Sequence, residues 1–364
     1  MAGKFKQKPF SEINIYDPFF ESLKSDYPGS ANSTGFSEWF QKKADAGDTA
    51  LVYEDEDGVG AFVKLKKEEN ESIELDDGTQ IPTALRLKIS TIKIDERFQN
   101  RRIGEGAIGL ALWEWQDSGI NEIYVTVFEK HRSLISLLEK FGFIYRGNNL
   151  NGERIYIKDR RQIDFSDPCL SFPFISNDFQ NAGVIAIDME YHDNMFAYSE
   201  LANTIQESLN ISVANGLKKV YIGSPTSLGF KINDPVFIYR KFTGEKGKGY
   251  KSCITSLCVV TRIEQIKHKG RFLVDRENYL KMIGNKSVFP MEKLEKEYRK
   301  CKELTLIEMV YYNYFGAGNN VNWIWLKNNG CWPAGHPLSF RLNHDQFVKI
   351  LRQGKIDAKN VIIN

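Results

Sequence analysis

The run Ile92-Lys93-Ile94-Asp95-Glu96-Arg97-Phe98-Gln99-Asn100-Arg101-Arg102-Ile103-Gly104-Glu105-Gly106 carries the strongest chemical signal in the chain. Its isoleucines alternate as in a strand, a short polar turn follows, and then Ile103, Ala107, Leu110, Ala111 and Glu114 fall on one helical stripe, apolar until its last member. The first N–H groups of a helix have no intrahelical acceptor and carry the positive end of its dipole. A strand that delivers the chain into such a start therefore builds a cradle suited to a pyrophosphate. Gly104 and Gly106 let phosphates approach the backbone, and Arg101 and Arg102 add charge. Close packing of the helix would account for the same glycines.

Other constellations are weaker. The five cysteines, Cys169, Cys253, Cys258, Cys301 and Cys331, are odd in number and scattered, which does not read as a disulfide framework. Cys253 and Cys258 sit in an apolar run at a spacing that puts them on opposite faces of a strand, so they read as buried thiols. No histidine pairs with a second ligand at helical spacing, and no metal is expected.

The elements that must position the turn follow from pattern. Asp17 and Pro18 open a helix through about Ser25, and Ser37 to Ala46 forms a second. Thr49 to Glu54 and Val59 to Lys66 flank Asp57-Gly58, a hairpin signal, and the acidic excursion from Lys67 to Thr79 turns a second hairpin. Ala84 to Asp95 is a strand whose apolar parity changes between Ile89 and Ile92, predicting a β-bulge. A helix runs from Ile103 to about Ser118. Ile123 to Phe128 is a strand, His131 to Lys140 a helix, and Phe143 to Arg146 with Arg154 to Lys158 a closing hairpin.

A boundary falls in the charged, aperiodic stretch Arg160 to Pro168, giving domains 1–165 and 166–364. Beyond it come a strand Val184 to Met189, a helix Ser199 to Asn215 with Gly216 as its cap, and strands Val220 to Gly223, Val236 to Phe242 and Ser252 to Ile263. Helices at Glu277 to Ile283 and Glu292 to Leu304 precede the aromatic cluster Tyr311 to Trp325. The fold class is α+β. With 364 residues, 42% hydrophobic and 26% charged, the chain has the composition of a soluble protein. No apolar run reaches the roughly 20 residues of a membrane span, and the basic N-terminus lacks a signal-peptide core, so a cytoplasmic location is the default. The net charge of +2 is uneven: 23 basic against 28 acidic residues up to 165, and 26 against 19 after it. That asymmetry permits a polyanionic partner for the second half.

The turn and its flanks resemble the acetyl-CoA signature of the GNAT acetyltransferases, which is Gln or Arg, two variable residues, Gly, one variable residue, then Gly or Ala. Aligned on the strand, Gln99 takes the first position, Gly104 the second glycine, and Arg102 stands where the first glycine belongs. The register Arg101-Arg102-Ile103-Gly104-Glu105-Gly106 satisfies the pattern in full but lies two residues further on. The first register is preferred because the strand fixes where the pyrophosphate sits. A second likeness is the helix from His131 that ends Glu139-Lys140-Phe141-Gly142-Phe143.

This resemblance covers residues 1–165 and implies a mixed central sheet, splayed between its fourth and fifth strands, with flanking helices. It implies acetyl-CoA as cosubstrate, the pantetheine arm in the splay against the backbone of Ile92, Lys93 and Ile94. The pyrophosphate would lie on Gln99, Asn100, Arg101, Arg102, Ile103, Gly104, Glu105 and Gly106, with His131 beside the site. An amine acceptor would attack directly. Leu138 replaces the tyrosine that protonates the thiolate in many members, and His131 replaces a common asparagine. Tyr145, His131 and Glu129 are the remaining candidates for acid–base work. Weak acid–base machinery favours an α-amine, neutral in about one molecule in seven at pH 7 against about one in 2,500 for a lysine amine.

Gly229 to Arg240 and Ser252 to Val260 resemble the central strands of PUA-like barrels, the superfamily of ASCH and EVE domains. The second domain is therefore expected as a PUA-like β-barrel with peripheral helices. Relatives of this kind bind RNA or a modified base, and here Lys246, Lys248, Lys251 and Arg240 could meet phosphates while Phe230, Tyr239, Tyr250 or Trp323 stack bases. Together the two halves read as an N-acetyltransferase whose second domain selects an RNA-linked amine such as aminoacyl-tRNA. A protein or small-molecule acetyltransferase with a docking domain, and a non-catalytic RNA-binding acyl-CoA sensor, are the alternatives.

Overall fold

The computed structural model describes residues 4–30, 34–202, 210–223, 229–335 and 337–364. Strands β1 (Lys6–Pro9), β2 (Thr49–Asp55), β3 (Gly58–Glu74), β4 (Gln80–Ile94), β5 (Glu122–Val127), β6 (Ile144–Asn148) and β7 (Arg154–Asp159) form one mixed sheet in the order β1-β2-β3-β4-β5-β7-β6. Both Asp-Gly pairs turn hairpins: Asp55 faces Gly58 across the first, and Glu74 faces Gln80 at the second. Helices α1 (Glu21–Asp26) and α2 (Phe36–Asp45) cover one face, where Phe10, Phe20, Phe36, Phe40 and Phe62 interlock. The other face carries α3 (Ile103–Ser118) and α4 (Arg132–Lys140), packed through Ile103, Ala107, Ala111, Ile135 and Leu138.

β4 and β5 run parallel and pair only from Arg86–Glu122 to Ile89–Val125. Immediately beyond, the β3–β4 register slips from Leu65–Ile89 to Lys64–Thr91, leaving Ser90 as the extra residue. This is the bulge expected from the parity change between Ile89 and Ile92. It bends β4 away from its neighbour, so the sheet splays between its fourth and fifth strands. Asp95 N donates to Gly60 O at 2.9 Å, and antiparallel alternation from there turns the N–H and C=O groups of Ile92 and Ile94 away from β3, into the opening.

The second half has its own mixed sheet. After α5 (Pro168–Ser171) and β8 (Ile175–Ser176) come β9 (Ala182–Asp188), α6 (Met189–Met195), α7 (Ile211–Asn215), β10 (Lys218–Gly223) and β11 (Pro235–Lys241). Then follow α8 (Lys248–Lys251), β12 (Cys253–His268), β13 (Arg271–Phe272), α9 (Arg276–Ile283), α10 (Met291–Lys300), β14 (Leu304–Tyr314), β15 (Val321–Asn322) and α11 (Trp323–Asn328). β16 (Ser339–Leu342), α12 (His344–Gln353), α13 (Ala358–Val361) and β17 (Ile362–Ile363) complete the chain. The sheet order is β10-β14-β12-β11-β9-β16, with β13 and β15 also on β12, while β8 and β17 pair separately. Register shifts at three places along β12 against β14 bend it strongly, so the expected barrel takes the form of a bulged, mixed sheet with helices around it.

The helix placed at Ser199 to Asn215 is not continuous: α6 ends at Met195, Ser199 lies in a loop, residues 203–209 lie outside the described residues, and α7 begins at Ile211. Gly216 does cap the C-terminus of α7, its N–H bonded to Ser212 O at 3.1 Å, with an extended φ of −65° rather than a left-handed one.

The halves meet along α3 and share one core. Trp113 Nε1 donates to Tyr312 O at 2.6 Å, and its ring packs edge-on against Tyr311 and Tyr314. Gln116 Nε2 donates to Pro173 O at 2.5 Å and its Oε1 accepts from Asn313 at 2.8 Å. Lys158, buried on β7, donates to the carbonyls of Phe141, Leu170 and Phe172 at 2.6–2.8 Å, tying the closing hairpin to the segment that enters the second half.

Candidate active site

The turn after β4 ends in an α3 start with no side-chain cap. Asn100 and Arg102 both take left-handed conformations, with φ of 61° and 59°. The first α3 N–H to reach a backbone acceptor within the helix is that of Gly106, bonded to Arg102 O at 3.3 Å; those of Ile103, Gly104 and Glu105 precede it. The N–H groups of Ile103 and Gly104 fall within both registers of the glycine pattern, and that of Glu105 within the displaced one alone.

The side chains of the turn divide in two. Gln99, Asn100 and Arg101 are exposed. Arg102 is turned away from solvent: its Nη2 donates to Glu105 Oε2 at 2.7 Å and to Lys218 O at 2.6 Å, so it does not supply charge directly to a phosphate. Glu105 also accepts from Lys140 at 2.7 Å and from Leu217 N at 3.2 Å. Burial alone would raise the Glu105 pKa, but Arg102 and Lys140 outweigh it and hold the carboxyl at about 2. Ile103 is core. Gly106 faces the second half, where a Cβ would lie 2.8 Å from Asn215 O, whereas one on Gly104 would meet only Leu137 Cδ2, at 3.2 Å. Gly106 is thus a packing glycine, and only Gly104 remains available for close approach of a ligand. The Lys93 ammonium is engaged with Phe19 O and Ser22 Oγ, leaving its backbone as the part that counts.

Leu138 is fully buried in the core. Of the acid–base candidates, Tyr145 lies on the edge strand β6, separated from β5 by β7, and donates to Asn148 Oδ1 at 2.9 Å; it does not reach the splay. Glu129 is paired with Arg154 at 2.7 Å. His131 starts α4 just beyond the end of β5, its ring half exposed and its Nε2 3.7 Å from Asp26 Oδ2. Sequence reasoning missed two tyrosines near the splay. Tyr27, at the end of α1, donates to Glu153 of the β6–β7 turn at 2.7 Å and packs on Phe128. Tyr124, on β5, donates to Glu68 on β3, with Lys66 and Lys88 beside that carboxylate. Burial, then the neighbouring carboxylate, raises both tyrosine pKa values, so both phenols stay protonated. The carboxylates on this side are already engaged: Asp26 is paired with Lys130 at 2.5 Å, and Glu153 accepts from Tyr27 and Asn149.

In the second half, three of the proposed nucleic-acid residues are unavailable. Phe230 is buried against Gly183 and Tyr239 against Trp332. Arg240 is buried, with two bonds of 2.7 and 2.8 Å to Asp193. Lys246, Lys248, Tyr250 and Lys251 are exposed on and before α8, which packs beside α11, where Lys327 lies over the ring of half-buried Trp323 at 5.3 Å. Among the described residues no group of three His, Cys, Asp or Glu side chains is arranged to hold a metal, and no helix is long and apolar enough to cross a membrane.

No family model matches this chain, and no curated protein does. Among solved structures it is similar to the ASCH protein of Zymomonas mobilis, at 9% identity over 47% of this chain and 94% of that one, with a TM-score of 0.31. It is also similar to the PaiA N-acetyltransferase of Thermoplasma acidophilum in complex with coenzyme A, at 12% identity over 44% and 99%, TM-score 0.31. A third is the GNAT-superfamily phosphinothricin acetyltransferase of Sinorhizobium meliloti in complex with AcCoA, at 13% identity over 44% and 89%, TM-score 0.31. Acetyltransferases and an ASCH domain thus each span somewhat under half of the chain, at identities too low to assign it to any of them.

Proposed function

We propose that this chain is an acetyl-CoA-dependent N-acetyltransferase of the GNAT type acting on an amine. The observation that carries the reading is the pairing of two features at one place: a β4–β5 splay opened by the Ser90 bulge, and an uncapped α3 start at the end of the same strand. The N–H groups of Ile103, Gly104 and Glu105 would hold the pyrophosphate, and the outward backbone groups of Ile92 and Ile94 would pair with the pantetheine amides. One of those N–H groups would polarise the thioester carbonyl while its carbon is attacked. Bound acetyl-CoA supplies the activated acyl group; the chain orients it and admits an amine from the side of Tyr27, Tyr124 and Asp26.

No tyrosine occupies the Leu138 position, and of the other candidates only His131 stands at the mouth of the splay. The acceptor that needs least assistance is an α-amine, including the amine of an aminoacyl-tRNA. Lys246, Lys248, Tyr250, Lys251 and Trp323, with Lys327, form the patch that favours an RNA-linked acceptor over a free one.

The test is labelled acetyl-CoA with a cell extract, followed by calorimetry on Gly104→Val. Label entering amines, together with an acetyl-CoA affinity lowered at least tenfold by the valine methyls at the helix start, is the expected result. Unchanged affinity in that variant removes the proposed cradle. Label in RNA rather than protein or small molecules selects the RNA-linked acceptor.

A further inference from the structure

We propose that the second half of the chain is part of the coenzyme site: Lys218 and Asn285 hold the Asn100–Arg102 turn in the left-handed conformation that opens the start of α3, with Arg102 as the positioning residue. This inference rests on the reading of that turn as the acetyl-CoA site.

Left-handed backbone is unfavourable for residues with a Cβ, asparagine being among the more tolerant and arginine not. Two such residues within three positions need something to hold them, and each is held from the second half. Asn285, exposed between α9 and α10, donates through Nδ2 to Asn100 O at 2.7 Å. Arg102, instead of capping the helix it begins, sends its guanidinium to Lys218 O on β10. It fits there because position 216 is glycine: a Cβ would lie 2.2 Å from Arg102 Cζ. Glu105 closes the arrangement by binding Arg102 on one side and the Leu217 N–H on the other. Simple adhesion between two halves would not require strained backbone at the point of contact. Here the strain coincides with the N–H groups that stand open.

The experiment uses the full chain and acetyl-CoA calorimetry on Arg102→Ala, Arg102→Gly, Asn285→Ala and Asn285→Gln, with thermal unfolding of each. Alanine must hold the left-handed conformation unaided, whereas glycine adopts it freely, so Arg102→Ala is expected to weaken binding about tenfold and Arg102→Gly clearly less. Asn285→Ala should weaken binding several-fold with an unchanged unfolding midpoint, being exposed, and Asn285→Gln should recover part of the loss. The KM for acetyl-CoA should rise in the same ratios. Tight binding by the wild type with equal affinity in all four variants overturns the inference and leaves the coenzyme reading intact. Equal weakening by glycine and alanine at position 102 with full affinity in Asn285→Ala also overturns it. Absence of acetyl-CoA binding by the wild type removes both.

Discussion

Arg102 and Glu105 lie inside a sequence motif suited to phosphate binding, yet their side chains bind each other and the second half. Such a pair has a pH signature. The Glu105 carboxyl is held at about 2 in the folded chain against an ordinary value near 4.5, so the unfolded chain binds its proton first as pH falls. Its stabilisation is fully present above the unfolded value and is lost as pH drops through the folded one. Glu105→Gln should therefore destabilise the protein by on the order of 2–3 kcal/mol at pH 7, and the difference from wild type should shrink between about pH 5 and pH 2. Urea midpoints across that range check this; a difference independent of pH would mean that the carboxylate charge is not what holds Arg102. The motif residues were legible in the sequence because types and spacing repeat a pattern. The Tyr27–Glu153 and Tyr124–Glu68 pairs were not, because 126 and 56 residues separate the partners and only the folded sheet brings them together.

At the scale of elements, α3 shows how one helix serves two neighbours from two different faces. Gly104 looks toward α4 and Gly106 toward α7, and the same substitution should act oppositely at the two positions. Alanine gains about 1 kcal/mol over glycine within a helix. At Gly104 the added Cβ meets only the movable end of Leu137 at 3.2 Å, so Gly104→Ala should raise stability or leave it unchanged. At Gly106 it meets the Asn215 backbone carbonyl at 2.8 Å, an overpacking cost of about 1–3 kcal/mol that exceeds the gain. Gly106→Ala should therefore lower the thermal midpoint; equal midpoints for the two variants would show that α7 yields freely. The hairpins, the bulge at Ser90 and the length of α3 were readable from turn residues and apolar period, which are local signals. The helix expected from Ser199 to Asn215 misled because its apolar period runs through a stretch whose residues Ser199 and Val213 are claimed by separate contacts in the second half's core. Tyr239 and Arg240 misled similarly: alternation identifies a strand but does not say that both of its faces are covered. Phe230, in the loop before β11, turns inward against Gly183, a long-range contact that no local pattern marks.

At the scale of the whole molecule, the composition break near residue 165 marks the change from one sheet to the other, but the apolar core does not divide there. Trp113, Trp115, Gln116 and Phe141 from the first half pack on Phe172, Pro173, Phe174, Tyr311 and Tyr312 from beyond it. A fragment of residues 1–165 would place these aromatic faces in water and leave Lys158 without the carbonyls of Leu170 and Phe172. Losing burial of even a few large side chains removes about 1.5–3 kcal/mol for each, which together approaches the whole stability of an ordinary domain. The fragment is therefore expected to keep much of its far-ultraviolet circular dichroism while losing a cooperative urea transition and its near-ultraviolet signal. Co-expression with residues 166–364 should restore both, along with acetyl-CoA binding, since the turn at Asn100–Arg102 regains its contacts with Lys218 and Asn285. A lone fragment with a sharp transition and full acetyl-CoA affinity would show that the second half is only appended to the first, and that the contacts along α3 are not needed to hold the turn.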